Sequence, residues 1–263
     1  MFAEERKQRI LAALHHKPTV RVVDLGRALR VSEASIRRDL ADLERAGLLK
    51  RTHGGAVTPR LAALEPSLAD KEDQYQAEKA AIARLASTFV QEGDTIFLDA
   101  GSTTRRIARE LRHRRGITIV TNALNIAWDL ASSEIDVVVT GGQLRRGMLS
   151  HVGPIADQAI ASLHVDKLFL AANGVDPTKG VTTPSLEEAQ TKRAMVERAS
   201  EIYLVVDHSK FGRVTFSSIC GLDRVHHLIT DDRLPESLAQ AIRLAGVRVH
   251  IAAVRDAATG HVT

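Results

Sequence analysis

Apolar and polar positions follow two different periods along this chain, and the change of period marks out its parts. Ile10, Leu11 and Leu14 fall at helical spacing and predict a helix over 4–15. Lys17-Pro18 ends it, because proline disfavours helical backbone at the residue before it. Val22, Leu25 and Leu29 share one face of a second short helix. After a tight connection at Val31-Ser32, Ile36, Leu40 and Leu43 form the core stripe of a third helix that stops at Gly47. Ser32 is placed to cap that helix, its hydroxyl accepting from a backbone N–H of the first turn. "LLKRTHGGAV" (48–57) reads as strand, bend and strand. Residues 56–70 hold two prolines and no clear period, so they read as a linker. The expected division is 1–58, a linker over 59–74, and a larger domain over 75–263.

The larger domain opens on a predicted helix over 71–94, with Ile82, Leu85 and Phe89 on one face and Gly93-Asp94 at its end. The period then switches. Short aliphatic runs ("TIFLD", "ITIVT", "IDVVVT", "KLFLAA", "IYLVV", "HHLIT", "VRVHIA") are separated by amphipathic stretches of helical spacing, such as "STTRRIARELRHR" with Ile107, Ala108 and Leu111 inward. Continuous aliphatic strands alternating with helices predict an α/β domain with a mainly parallel sheet covered on both faces.

Composition sharpens this picture. Hydrophobic residues make up 44% and aromatics 3%, so the core is aliphatic. No apolar run reaches about 18 residues, which gives no expectation of a membrane span. The N-terminus is charged from the start and lacks the apolar core of a signal peptide. One cysteine, Cys220, leaves no disulfide framework and fits a reducing cytoplasm. Charge is unevenly distributed: residues 1–60 carry 13 Lys+Arg against 7 Asp+Glu, whereas the whole chain is only +4. A basic head on a near-neutral body points to a double-stranded DNA partner.

The third helix carries the chemistry for that. Ser35, Arg37 and Arg38 fall off the core stripe near its N-terminus, beside Ser32, Glu33 and Ala34. Small, hydroxyl and arginine side chains on the first turns suit a recognition helix in the major groove, where arginine pairs with guanine or grips phosphate. Lys50, Arg51 and His53 lie on the predicted wing and are placed to touch phosphate. The bland alternative is a solvated helix on which Arg38 pairs with Asp42 at i,i+4.

In the larger domain, polar residues gather after successive strands: Asp99 to Thr104, Thr121-Asn122, Thr140-Gly141-Gly142, Asn173-Gly174 and Asp207 to Lys210. These are the carboxyl ends of the strands, where ligands of open α/β sheets bind. In "DAGSTT", Gly101 allows close backbone approach, and Ser102, Thr103 and Thr104 open a helix whose N–H groups suit a phosphate. Lys210 adds positive charge. Asp99 repels a dianion and is suited to sugar hydroxyls or to holding the loop. Neither a Walker A loop nor a G-x-G-x-x-G fingerprint occurs. The scattered histidines give no metal site, and no cofactor is expected.

"VSEASIRRDLADLERAGLLKRTHGGAV" resembles the winged helix-turn-helix of the DeoR family of bacterial transcriptional regulators, with Ser35 where threonine is more usual. "DAGSTT", "TNAL", "TGG", "GVTTPSLEEAQTKRAM", "VDHSKFG" and "LITD" are similar to successive blocks of that family's effector domain. The resemblance implies a fold like ribose-5-phosphate isomerase and glucosamine-6-phosphate deaminase, a phosphorylated sugar or related metabolite as effector, and a homo-oligomer, dimer or tetramer, on a DNA operator. It also implies pocket roles for Asp99, Gly101, Ser102, Thr103, Thr104, Thr121, Asn122, Gly141, Gly142, Gly174, Glu188, Asp207 and Lys210. His208 and Asn173 stand where small residues are more usual.

The expected function is a cytoplasmic repressor of carbohydrate genes that is relieved by its effector, and not an enzyme. The alternatives are a phosphosugar isomerase or deaminase carrying an accessory head, with Glu188, Asp99 and Lys210 in acid–base roles, and a structural DNA-packing protein. Against catalysis, Glu188 stands four residues before Lys192, the spacing of an exposed helical pair.

Overall fold

The computed structural model describes residues 3–16, 19–46, 48–52, 55–57 and 68–254. The chain forms two compact units, Met1–Pro66 and Ser67–Thr263.

The first unit contains α1 (Ala3–His16), β1 (Thr19–Arg21), α2 (Val22–Leu29), α3 (Glu33–Arg45), β2 (Lys50–Thr52) and β3 (Gly55–Val57). The helical stripes read from the sequence converge: Ile10, Leu14, Val22, Leu25, Ile36, Leu40 and Leu43 form one buried cluster with Leu49 and Ala56. Arg30, in left-handed backbone at φ 54°, terminates α2 and turns the chain into α3. The wing has three strands rather than two. β1, not predicted, pairs antiparallel with β3 in the order β1-β3-β2. Gly55 permits this pairing, since a Cβ there would lie 1.8 Å from the Val20 carbonyl oxygen.

The second unit begins with α4 (Leu68–Asp73) and α5 (Gln76–Ser87). This corrects two expectations. Residues 68–73, counted with the linker, are helical, and the single helix expected over 71–94 is two helices broken at Tyr75, where φ is 53° and ψ 44°. The rest of the expected linker, 59–67, lies outside the described residues. Strands and helices then alternate: β4 (Thr95–Leu98), α6 (Ser102–Leu111), β5 (Thr118–Thr121), α7 (Leu124–Leu130) and β6 (Asp136–Val139). A hairpin of β7 (Gln143–Arg145) and β8 (Ser150–Val152) leads to α8 (Pro154–Ala161) and β9 (Val165–Leu170). Next come β10 (Gly174–Asp176), β11 (Gly180–Thr183), α9 (Leu186–Arg198) and β12 (Ala199–Val205). β13 (Ser217–Cys220), β14 (His227–Asp231), α10 (Glu236–Leu244) and β15 (Arg248–Ala252) complete the unit.

Seven strands form one sheet in the order β15-β14-β12-β9-β4-β5-β6, with every pairing parallel. The aliphatic runs are continuous because both faces are covered, and the two-residue period of a strand divides each run between two cores. Ile96, Leu98, Phe169 and Tyr203 belong to one core, with Ile82, Ile107 and Leu111. Phe97, Leu168, Leu170 and Leu204 belong to the other, with Met195 and Ile242. A small antiparallel sheet, β10-β11-β13, lies outside the predicted pattern. Strand order reverses its direction of growth between β4 and β9. That point opens a crevice at the strands' carboxyl ends.

Candidate functional site

In the first unit, the Ser32 hydroxyl accepts from the Ser35 N–H at 3.3 Å and caps α3. Asp39 is buried and receives the Arg6 guanidinium through two hydrogen bonds, one of 2.9 Å, so α1 is tied to the inner side of α3. Asp42 takes Lys7 at 3.1 Å and also Arg45. The i,i+4 pair of Arg38 with Asp42 is therefore not formed, and among the described residues Arg38 has no ion-pair partner. Arg37 pairs with Glu33 across one turn at 2.9 Å. Ser32, Glu33, Ala34, Arg37 and Arg38 are exposed and Ser35 is half-buried, so the expected reading surface faces water. Arg51 is exposed, and its backbone N–H donates to Glu44 at 2.9 Å. His53 and the side chain of Lys50 lie outside the described residues.

In the second unit, a cleft opens beyond the ends of β4, β9 and β12. It is lined by Gly101, Ser102 and Thr103 at the start of α6 and by Ala171 to Asn173 after β9. Asp207 and Lys210 follow β12, Glu188 and Lys192 project from α9, and Lys71 and Lys79 come from α4 and α5. Gly101 is required by space: a Cβ there would stand 2.9 Å from the Ala171 Cβ and 3.1 Å from the Thr104 hydroxyl oxygen. No side chain caps the N-terminus of α6, so its first N–H groups are available to an anion in the cleft.

Under this wall lies a buried charge cluster. Lys192, fully enclosed, donates to Asp99 and to the Ala171 carbonyl at 2.9 Å, and stands 3.2 Å from Glu188. Glu188 also accepts from Arg145 at 2.8 Å and from the Thr183 hydroxyl at 3.1 Å. Burial on its own would raise Glu188, but Lys192, Lys71 and Arg145 outweigh it and hold the carboxyl well below the usual carboxylate range. Burial pulls Lys192 down, yet Asp99 and Glu188 outweigh it and keep the ammonium charged. Asp99 is pushed upward by burial against the opposing pull of Lys192; its second oxygen, Oδ1, has no hydrogen-bond partner among the described residues. The expected exposed pair of Glu188 and Lys192 is thus a buried one.

Two further lysines are depressed. Burial brings Lys79 down to about 8, with Asp207 opposing and Lys210, Arg106 and Lys71 adding to the fall. Burial also lowers Lys210, whose Nζ lies 3.8 Å from Asp207 and donates to the Ser209 hydroxyl at 3.1 Å. Asp207 accepts from the Ser209 N–H at 3.0 Å and so shapes the turn that carries Lys210.

Of the thirteen pocket residues expected, the cleft wall gathers Gly101, Ser102, Thr103, Glu188, Asp207 and Lys210. Asp99 lies beneath it. The others hold the scaffold: Thr104 donates to the Gly101 carbonyl at 3.0 Å, and Thr121 to the Leu98 carbonyl at 2.7 Å. Asn122 accepts from the Ala100 N–H at 3.1 Å and donates to the His151 carbonyl, fixing the loop before α6. Gly141 and Gly142 follow β6, two strands from β4, with Gly142 packed on Val152 and Ala156. Gly174 packs against Arg213 and Thr182. His208 turns away to Asp231, at 2.9 Å from its ring. Sequence reasoning missed Lys71, Lys79 and Lys192, which sit on helices and not at strand ends. Among the described residues no cluster has the make-up of a metal site, and no helix is long and apolar enough to cross a membrane.

Comparison with known proteins agrees with both units. Residues 6–60 match the DeoR-like helix-turn-helix domain, and residues 74–232 match the DeoR C terminal sensor domain. The HTH-type transcriptional regulator GlpR of Haloferax volcanii is 39% identical, covering 95% of this chain and 98% of its own. The putative aga operon transcriptional repressor of Escherichia coli O157:H7 is 37% identical, covering 93% and 92%. The transcriptional repressor AccR of Agrobacterium fabrum is 35% identical, covering 92% and 97%. Among solved structures, ribose 5-phosphate isomerase A of Methanocaldococcus jannaschii aligns over 51% of this chain and 53% of its own, at 21% identity and a TM-score of 0.39. With a helix-turn-helix head, a parallel-sheet sensor domain and full-length relatives named as regulators, this chain belongs to the DeoR family of DNA-binding transcriptional regulators.

Proposed function

We propose that the protein represses carbohydrate genes by holding an operator with the exposed face of α3, and that a phosphorylated sugar or related metabolite in the cleft releases it. One observation carries the ligand assignment: the uncapped N-terminus of α6 and three lysines, Lys71, Lys79 and Lys210, line a single cleft. Helix N–H groups and lysines lining one cleft suit a phosphate, and the bonds they make to it are charge-assisted. Ser102 and Thr103 add hydroxyls at the same wall.

The cleft's acid–base inventory supports sensing over catalysis. Isomerising a sugar phosphate requires a carboxylate positioned to take a proton from carbon. Glu188 is engaged by Lys192, Arg145 and Thr183, and Asp99 is engaged by Lys192 and the Ala171 N–H at 2.9 Å. On α3, Arg37 and Arg38 are the base- or phosphate-contacting side chains, with Ser32 and Ser35 beside them and Arg51, Lys50 and His53 on the wing. A homo-oligomer in the cytoplasm would present paired heads to two half-sites. Large apolar side chains left in water on the single chain, Trp128 and Phe216 each at 79% exposure, support such an assembly.

A thermal-shift screen against phosphorylated sugars tests the ligand assignment, since a ligand that binds only the folded state raises the melting temperature. The ligand that stabilises the wild-type protein is expected to have no effect on Ser102→Glu, which puts an anion where the phosphate belongs. An equal shift in both proteins would remove the cleft from consideration.

A further inference from the structure

α4 is an unusual element to find at a binding cleft. It is six residues long, and Leu68 is its one buried side chain. A helix so short has almost no stability of its own, so its position depends on the contacts that hold it. The Leu68 N–H donates to the Gly147 carbonyl at 2.8 Å. The Glu72 carboxylate receives Arg105 of α6 at 2.7 Å. The Lys71 ammonium lies 3.5 Å from the sulfur of Met148, and both residues line the cleft. At the far end, the Lys79 ammonium donates to the carbonyls of Lys71 and of Gln74, the latter at 2.6 Å.

The end of α4 is therefore capped by a lysine of the next helix that itself lines the cleft. Tyr75, in left-handed backbone between the two helices, meets His208 edge-on with ring centroids 5.0 Å apart. His208 belongs to the same turn as Lys210. The contacts through Gly147, Met148, Lys79 and His208 thus lead to residues at the cleft or next to one. An ammonium has three protons, and Lys79 gives two bonds to the α4–α5 connection, leaving one for the cleft.

We propose that Lys71 and Lys79 are ligand-binding residues for a phosphate group, and that their grip on it makes α4 a strap. Occupancy fixes this first element of the sensor unit, which begins just after the boundary between the units at Pro66 and Ser67. The proposal rests on the sensor reading above and deepens it: the segment that feels the ligand is the first element after the boundary between the two units. Ligand binding in the cleft adds charge-assisted contacts to the last turn of a helix that buries one side chain.

Hydrogen–deuterium exchange on the full chain, with inorganic phosphate and then glucose 6-phosphate as probes, tests this. Saturating probe is expected to slow exchange at 68–75 together with 101–105, by about tenfold or more in opening equilibrium. Lys71→Met, which leaves the Lys79 cap in place, is expected to weaken the probe's affinity about tenfold or more. At a probe concentration that still protects 101–105, it should lose most of the protection at 68–75. Protection confined to 101–105 in the wild-type protein would overturn the strap and leave the sensor reading intact. Equal protection of 68–75 in Lys71→Met would overturn the role of Lys71. No protection at either segment with either probe would end both readings.

Discussion

Lys192 holds an ammonium in a site with almost no water, between two carboxylates. Its helical spacing to Glu188 reads in the sequence as a surface pair worth a few tenths of a kcal/mol. Buried, the same pair behaves differently: removing one partner leaves charge with nothing to balance it. Lys192→Met is expected to cost about 3–5 kcal/mol, measured as a fall in the urea midpoint. Glu188 sits below its ordinary value when folded. Its contribution is therefore complete above the normal carboxylate range and drains away as pH falls through the depressed folded value. The variant should lose that dependence, and a wild-type acid profile in Lys192→Met would contradict the assignment. Lys79 has the same sign in a more alkaline window. Held at about 8, it favours the folded state more as pH rises from there towards the ordinary lysine value. Phosphate requires the protonated form, so its affinity should be full below about 8 and fall above it, with the phosphate's own second ionisation near pH ~6 limiting the acid side. Calorimetric titration across this range checks it, and Lys79→Met should flatten the alkaline limb.

Elements were legible in proportion to their length and apolar content. The helices of the head and the seven parallel strands announced themselves, because burial on one face or on both imposes a period that 10-residue windows reveal. The short strands outside the main sheet and the predicted wing were not legible: β1, β7, β8, β10, β11 and β13 are three or four residues each, and Gln143–Arg145 or Ser217–Cys220 carry too few apolar positions to show a period. The start of α4 reads as linker because Pro59 and Pro66 precede it and one buried leucine makes no stripe. The cleft was half legible for a related reason. Strand ends pointed to Gly101, Ser102 and Lys210, but Lys71, Lys79 and Lys192 reach it from helices, and nothing in a sequence distinguishes such lysines from solvated ones. On α3, structure adds a discrimination the pattern lacked. Asp39 and Asp42 are occupied by Arg6, Lys7 and Arg45, so Arg38 remains available to DNA. Arg38→Ala should weaken operator binding and reduce the slope of log affinity against log salt by about 1 if it contacts phosphate. If it reads a base instead, the slope stays and discrimination at one position relaxes by about 1–3 kcal/mol. Filter binding over a salt series separates these, and wild-type affinity would show that α3 is not the reading helix.

At the scale of the whole molecule, a regulator is defined by coupling between its two units, and that coupling has a property that needs no structural detail to test. Binding free energies are reciprocal: whatever factor the effector imposes on operator affinity, the operator must impose on effector affinity. A tenfold release of DNA by phosphate or a sugar phosphate corresponds to about 1.4 kcal/mol and must return as a tenfold weaker grip on that ligand when operator is bound. The buried cluster of Asp99, Glu188 and Lys192 bears on how this is achieved. It locks the floor of the cleft to α9 and β9, so the floor is a poor candidate for movement, whereas α4 buries one side chain and is the first element after the boundary with the head. The full chain should therefore be titrated with the ligand from the thermal screen, once alone and once saturated with a duplex selected by the protein from random sequence. The expected outcome is about tenfold weaker ligand binding on DNA, lost in Lys71→Met even at ligand concentrations that saturate its cleft. Identical ligand isotherms with and without operator would mean that the two units act independently, and the cleft would then be a binding site without a message.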